Sequence, residues 1–278
     1  VKGLSGGHSG MDIHLGLGNS NKLMNRLLFK TYENYGLRIA KIDGGGLRNA
    51  IPRESVATIA VPSTSNENFE THLGKLSAIL KSEHGTTDSE LEIVLEKTNP
   101  PNKVLNEEFQ DQLLAAVYAC PNGIYRMSPD VEGLVQTSNN VARVLVENGE
   151  FTVMCLSRSS VDSEKDDISN AIQGLFELIG ATVTFAGTYP GWTPRPGSDI
   201  VNIMSDLYRE MFNEEPHVNA CHAGLECGIL GTHYPEMEMI SFGPNIRGAH
   251  SPDEKVQISS VQKYWGYLLE TLKRIPQK

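Results

Sequence analysis

Val141-Ala142-Arg143-Val144-Leu145-Val146, then Glu147-Asn148-Gly149-Glu150, then Phe151-Thr152-Val153-Met154-Cys155-Leu156 is the stretch on which the fold turns. Two apolar runs of strand length flank an Asn-Gly pair. Asparagine and glycine tolerate the positive φ that a tight hairpin needs, so the spacing predicts an antiparallel hairpin with strands over 141–146 and 151–156. Upstream, Glu107 to Ala119 reads as a helix. Downstream, Asp166 to Ile179 reads as a helix ended by Gly180, and Thr182 to Phe185 as a strand. The first hundred residues carry a similar cycle. Asn21 to Tyr35 has Leu23, Leu27 and Leu28 at helical spacing and ends at Gly36. Leu37 to Ile42 and Ser55 to Val61 read as strands on either side of a Gly44-Gly45-Gly46 turn. Asn68 to Leu80 reads as a helix and Leu91 to Leu95 as a strand. Of the ferredoxin-like order strand, helix, strand, strand, helix, strand, these segments supply every element after the first strand. Each half is therefore expected to be a ferredoxin-like α/β unit with an antiparallel sheet.

Composition changes at Tyr189-Pro190-Gly191-Trp192-Thr193-Pro194-Arg195-Pro196-Gly197, a Pro/Gly-rich crossing that predicts a domain boundary. Beyond it helices and strands alternate: helix over Ile200 to Phe212, strand over Val218 to Cys221, a helix starting over Leu225 to Leu230, strand over Met237 to Phe242, helix over Ser259 to Lys273. That is α/β layering. Two strands do not make a covered parallel sheet, so this piece reads as the end of a larger domain.

Bulk properties narrow the function. The chain has 278 residues, 39% hydrophobic and 21% charged, as in a globular protein with a substantial core. Its net charge of −10 and the lack of Lys/Arg clusters argue against a nucleic-acid partner. No apolar run is long enough to span a bilayer, and no signal peptide is visible in the Gly/Ser-rich opening, Gly3 to Gly10. Cys120, Cys155, Cys221 and Cys227 form no C-x-x-C pair, which fits reduced thiols in a cytoplasmic protein. The chain does not open on methionine and is expected to be a fragment.

Several residues are candidates for chemistry, each beside a plainer reading. His250 follows the Gly243-Pro244 turn and precedes Asp253 and Glu254. A histidine so placed can face a metal while an acid orients its second nitrogen. The same acids can instead complement a helix N-terminus. His8 sits in Gly6-Gly7-His8-Ser9-Gly10, where glycines let backbone approach the imidazole, or where a tail simply ends. Gly3-Leu4-Ser5-Gly6-Gly7 matches the G-x-S-x-G pattern, but no strand precedes it and the match is chance. Cys221-His222-Ala223-Gly224-Leu225-Glu226-Cys227 has no standard zinc spacing and reads better as a strand-to-helix turn. Asn49, Asn140 and Arg158 are polar groups at predicted strand ends, and Arg158 has the fork to clamp a carboxylate.

Taken together, five segments resemble the aminoacyl-histidine dipeptidases, also called peptidase D or cytosolic non-specific dipeptidases. They are Lys2 to Gly10, Gly45 to Glu54, Tyr189-Pro190-Gly191-Trp192, His222 to Gly228, and Ser241 to Glu254. Order and spacing match across essentially the whole chain. The resemblance implies a carnosinase-like catalytic domain split by a lid. Residues 1–187 are then the lid and 188–278 the returning C-terminal part of the catalytic domain. It implies dipeptide hydrolysis (Xaa-His and other unblocked dipeptides) by water activated on two Zn2+ ions, with Mn2+ or Co2+ as substitutes. His250 matches the last metal ligand. His8 matches a lid histidine that stabilises the oxyanion, often of a neighbouring subunit. Arg158, Asn49 and Asn140 match positions that hold the substrate's carboxylate or backbone, and Glu226 a segment lining the substrate pocket. The family's H-x-D segment, bridging aspartate and Glu-Glu pair are not recognisable here. The chain alone is therefore expected to be inactive, with a homodimer formed through the lid. The competing expectation is a non-catalytic interaction module whose lid pairs edge to edge.

Overall fold

The computed structural model describes residues 1–220, 222, 225–247 and 254–275. They divide into two compact units, residues 1–188 with His222, and residues 189–220 with 225–275.

The first unit grows from the hairpin. Strands β6 (Val135–Glu147) and β7 (Glu150–Ser159) pair antiparallel from Thr137↔Ser159 to Glu147↔Glu150. Asn148 and Gly149 make the turn at φ 55° and 84°, the left-handed pair that a two-residue hairpin requires. The other edge of β6 is shared. Its C-terminal half pairs with β2 (Arg38–Gly45) and its N-terminal half with β5 (Gly123–Met127). Strand β4 (Ser55–Ala60) closes the sheet on β2. Hence one five-stranded antiparallel sheet forms, in the order β4-β2-β6-β5 with β7 beside β6. The two ferredoxin-like units expected from the element order are not separate: the β2–β6 ladder fuses them.

Helices α1 (Ser20–Tyr35), α2 (Asn66–Glu83), α3 (Glu107–Ala119) and α4 (Asp162–Glu177) pack with this sheet. Their apolar stripes meet the strands in one core that includes Leu28, Ile39, Phe69, Leu114, Val144 and Ile168. The Asn19 side chain caps α1 by accepting from the N–H groups of Asn21 and Lys22, and Gly36 ends it at φ 62°. The expected triple-glycine turn is partly strand. A Cβ on Gly45 would lie 1.9 Å from the Ala142 carbonyl oxygen and one on Gly44 2.0 Å from Asn21 Oδ1, so the glycines serve close packing against β6 and α1.

Other expectations fail locally. Residues 91–95 form no strand; their pairing is a single isolated bridge, in which Glu92 exchanges one pair of backbone hydrogen bonds with Lys2. Residues 182–185 are irregular. In both places an apolar alternation lacks a neighbouring ladder. Two short strands were not foreseen in this region: β1 (Gly7–His8), which pairs with β3 (Ala50–Ile51).

In the second unit α5 (Asp199–Phe212) and α7 (Ile258–Arg274) bury Met204, Leu207 and Tyr267 between them, and the Tyr267 hydroxyl donates to the Met204 carbonyl at 2.6 Å. Helix α6 (Glu226–His233) is a separate short element. Residues 218–220 and 237–242, expected as strands, are irregular; Cys221 lies outside the described residues. The strands present are β8 (Ile246–Arg247) and β9 (Lys255–Val256).

Candidate active-site surface on the first unit

The glycine-flanked segment around His8 is built, not trailing. Antiparallel pairing of His8 with Ala50 fixes its backbone. Its N–H donates to Asp12 Oδ2 at 2.7 Å. The ring Nδ1 accepts from the N–H groups of Gly10 (3.2 Å) and Met11 (3.0 Å). An Nδ1 that accepts two donors carries no proton, so in the neutral ring the proton sits on Nε2.

Gly10 links this histidine to Arg158. A Cβ placed on Gly10 would lie 3.2 Å from His8 Cε1 and 3.3 Å from Arg158 Cδ and Nε. Imidazole and guanidinium arm therefore both border Gly10, and a side chain there would push one or the other aside by a few tenths of an ångström. Arg158 comes from β7, opposite Ser138 of β6. Ser138 Oγ lies 2.8 Å from His222 Nε2, and both side chains are buried. Burial lowers the His222 pKa to about 4, aided by the positive charge of Arg158 and then by His8 and His14. His222 is thus neutral at pH 7.

Strand β6 supplies an unusual floor. Gln136, Thr137, Ser138, Asn139 and Asn140 are all buried, and each has a polar partner. The Asn140 amide donates to the carbonyls of Ala50 (2.8 Å) and Arg48 (3.2 Å), while its oxygen accepts from Asn19 Nδ2 (3.3 Å). It thereby ties β6 to the strand that pairs with His8. Asn49 is held in the same turn, where its carbonyl accepts from the Ser9 N–H at 2.8 Å. A cavity of about 290 Å³ opens alongside, lined in part by His14, Leu17, Ile51, Asn122 and Asn140.

At the base of the segment, the buried Asp88 carboxylate accepts from Ser5 N–H, Gly18 N–H and Thr87 Oγ1, each at 2.8 Å. Burial opposes its ionisation, but these three donors override that and hold its pKa below the ordinary value. One carboxylate so pins both ends of the loop that presents His8.

Of the six residues singled out from sequence, the structure gathers His8, Arg158, Asn140 and Asn49 on this surface. Glu226 is an exposed residue in the first turn of α6, in the second unit. His250 lies outside the described residues. His222, Ser138 and Asp88 were not singled out. His222 lies within a quoted motif, whereas nothing in sequence joins it to Ser138, 84 residues away. Among the described residues no three His, Cys, Asp or Glu side chains converge to hold a metal. No helix among them is long and apolar enough to cross a membrane.

Residues 1–88, which carry the His8 loop and its Asp88 anchor, match the family Peptidase dimerisation domain. Over all 278 residues the chain is 42% identical to the cytosol non-specific dipeptidase of Escherichia coli (strain K12), of which it spans 57%. It also superposes on the crystal structure of aminoacylhistidine dipeptidase from Vibrio alginolyticus with a TM-score of 0.91 at 42% identity, covering all of this chain and 56% of that one. The chain is thus related along its whole length to these dipeptidases, and spans a little over half of theirs.

Proposed function

We propose that this chain is the substrate-orienting part of a cytoplasmic dipeptidase. Amide hydrolysis passes through a tetrahedral oxyanion, which needs a positioned donor. The His8 Nε2–H is that donor, because Gly10 and Met11 hold the ring's other nitrogen as an acceptor. Arg158 holds the free carboxylate of the dipeptide through two parallel N–H···O bonds, which restricts the substrate to short peptides. Neutral His222 beside it leaves Arg158 as the dominant charge, and Asn49 and Asn140 keep the surrounding turn in place. Glu226 belongs to a segment that lines the substrate pocket in this reading, and His250 is a metal ligand.

Two zinc ions, or manganese or cobalt in their place, belong to the same reading. The described residues do not fit them: no donor cluster is present, and His222 Nε2 is engaged by Ser138. The metals are assigned to groups beyond the described residues, and the 278-residue chain alone is inactive. The match of residues 1–88 to a peptidase dimerisation domain supports a homodimer formed through the first unit.

That His8 and Arg158 both border Gly10 carries this proposal. The complete protein tests it. His8→Ala is expected to lower kcat by about 10²–10³-fold while the dimer persists. An unchanged kcat would favour the non-catalytic interaction module. The purified chain, supplied with zinc or manganese, is expected to leave dipeptides intact; turnover at an enzyme-like rate sinks the claim that it lacks its metal site.

A further inference from the structure

We propose that Cys120 and Cys155 are a peroxide-sensitive pair that closes into a reversible disulfide joining the end of α3 to β7. This does not rest on the dipeptidase reading. Cys120 is the buried residue that ends α3, and Cys155 is a partly exposed residue of β7 opposite Val141. Though 35 residues apart in sequence, their sulfurs lie 3.9 Å from each other as free thiols. A disulfide needs about 2.05 Å, so closure asks for a movement of about 2 Å, within reach of side-chain rotation and a small shift at the helix end.

The surroundings divide the roles. Lys22 from α1 places its ammonium at the end of α3, donating to the carbonyls of Val117 (2.6 Å), Tyr118 (2.7 Å) and Cys120 (2.8 Å). A cation there offsets the helix dipole and faces both thiols. The contact with Cys120 holds the Cys155 thiol below its ordinary pKa, against burial, with help from Asn139 and Lys22. The same contact, together with burial, pushes Cys120 up. Cys155, the more exposed of the two thiols, is the attacking sulfur and buried Cys120 the resolving one.

The chemistry closes with hydrogen peroxide as oxidant. The Cys155 thiolate attacks one peroxide oxygen, the O–O bond breaks, and the departing hydroxide takes up a proton as water, leaving a sulfenic acid. The Cys120 sulfur then attacks the sulfenic sulfur. The S–O bond breaks, the S–S bond forms, and the hydroxide leaves with the Cys120 proton. Two thiols and one peroxide yield one disulfide and two waters. The link would stiffen the segment behind Asn140, because Pro121 accepts from Asn139 Nδ2 (2.7 Å) and Asn122 from the Val141 N–H (3.0 Å).

Hydrogen peroxide added to the native full-length protein, followed by alkylation and peptide mass mapping, tests the pair. A Cys120–Cys155 linked peptide is expected, lost on adding dithiothreitol. Cys155 should react about tenfold faster than Cys227, a partly exposed thiol whose pKa burial raises. In Cys120→Ala, Cys155 should stop at the sulfenic acid and be trapped by dimedone. In Cys155→Ser, Cys120 should stay alkylatable. The proposal is overturned if both thiols remain alkylatable at peroxide levels that oxidise Cys227, or if Cys120 oxidises equally fast without Cys155.

Discussion

The two units contrast in how they dispose of apolar surface. In the first, four helices and a five-stranded sheet share one continuous core, and its sheet closes on strands of its own. In the second, α5 and α7 bury three residues between them, while Trp265 and Leu272 of α7 are each 58% exposed and Ile258 is 77% exposed. Both units contain strongly amphipathic helices. An apolar stripe stabilises a fold only to the extent that something covers it, and among the described residues of the second unit the sheet is two two-residue strands.

Separating the units gives the largest expected effect. Residues 1–188 expressed alone should unfold in one cooperative transition by circular dichroism, and residues 189–278 alone should show none. A cooperative transition in the second piece would abolish the contrast. Next come matched truncations. Leu114 and Leu207 are both 0% exposed. Leu114→Ala, in the continuous core, should cost about 2–5 kcal/mol in a denaturant titration. Leu207→Ala should cost about 2 kcal/mol or less, because a two-helix core can collapse around the gap.

The polar interior of the first unit should show in its pH dependence. His222 titrates near 6.5 when unfolded and at about 4 in the fold. Between those values the unfolded chain binds the extra proton. Stability should therefore fall as pH drops from 6.5 to 4, by up to about 3 kcal/mol, and level off below. His222→Gln should flatten that slope; a slope that survives the substitution assigns it to another group. The smallest effect belongs to the uncovered face. Trp265→Lys should change the stability of the chain by less than about 0.5 kcal/mol. In the complete protein the same substitution should cost several times more if another segment packs there.

Legibility from sequence followed the range of the interaction. Helix α3 was read residue for residue, and α1, α5 and α7 within one residue at each end, because apolar spacing is local. The β6–β7 turn was legible from Asn148-Gly149 for the same reason. Strand β5 was not: Ile124, Tyr125 and Met127 lie on an exposed edge and show no clean alternation. Nor was the N-terminal half of β6, since Gln136 to Asn140 is a polar run that its hydrogen bonds, not its hydrophobicity, keep inside. Conversely, 237–242 alternates like a strand and joins no ladder among the described residues. In the candidate site, His8 stood out through its flanking glycines. Asp88, Ser138 and His222 did not, because the contacts of Asp88 with Ser5 and Gly18, and of Ser138 with His222, exist only once the chain has closed.

Strand β6 is zipped along one side by a single neighbour and along the other by two in succession, one from each half of the first unit. Neither half can slide by a residue without dragging the other, so an error in pairing anywhere along it spoils the whole sheet at once. In deuterated water its amides should be the last of the molecule to exchange, and those of the outlying β5 among the first.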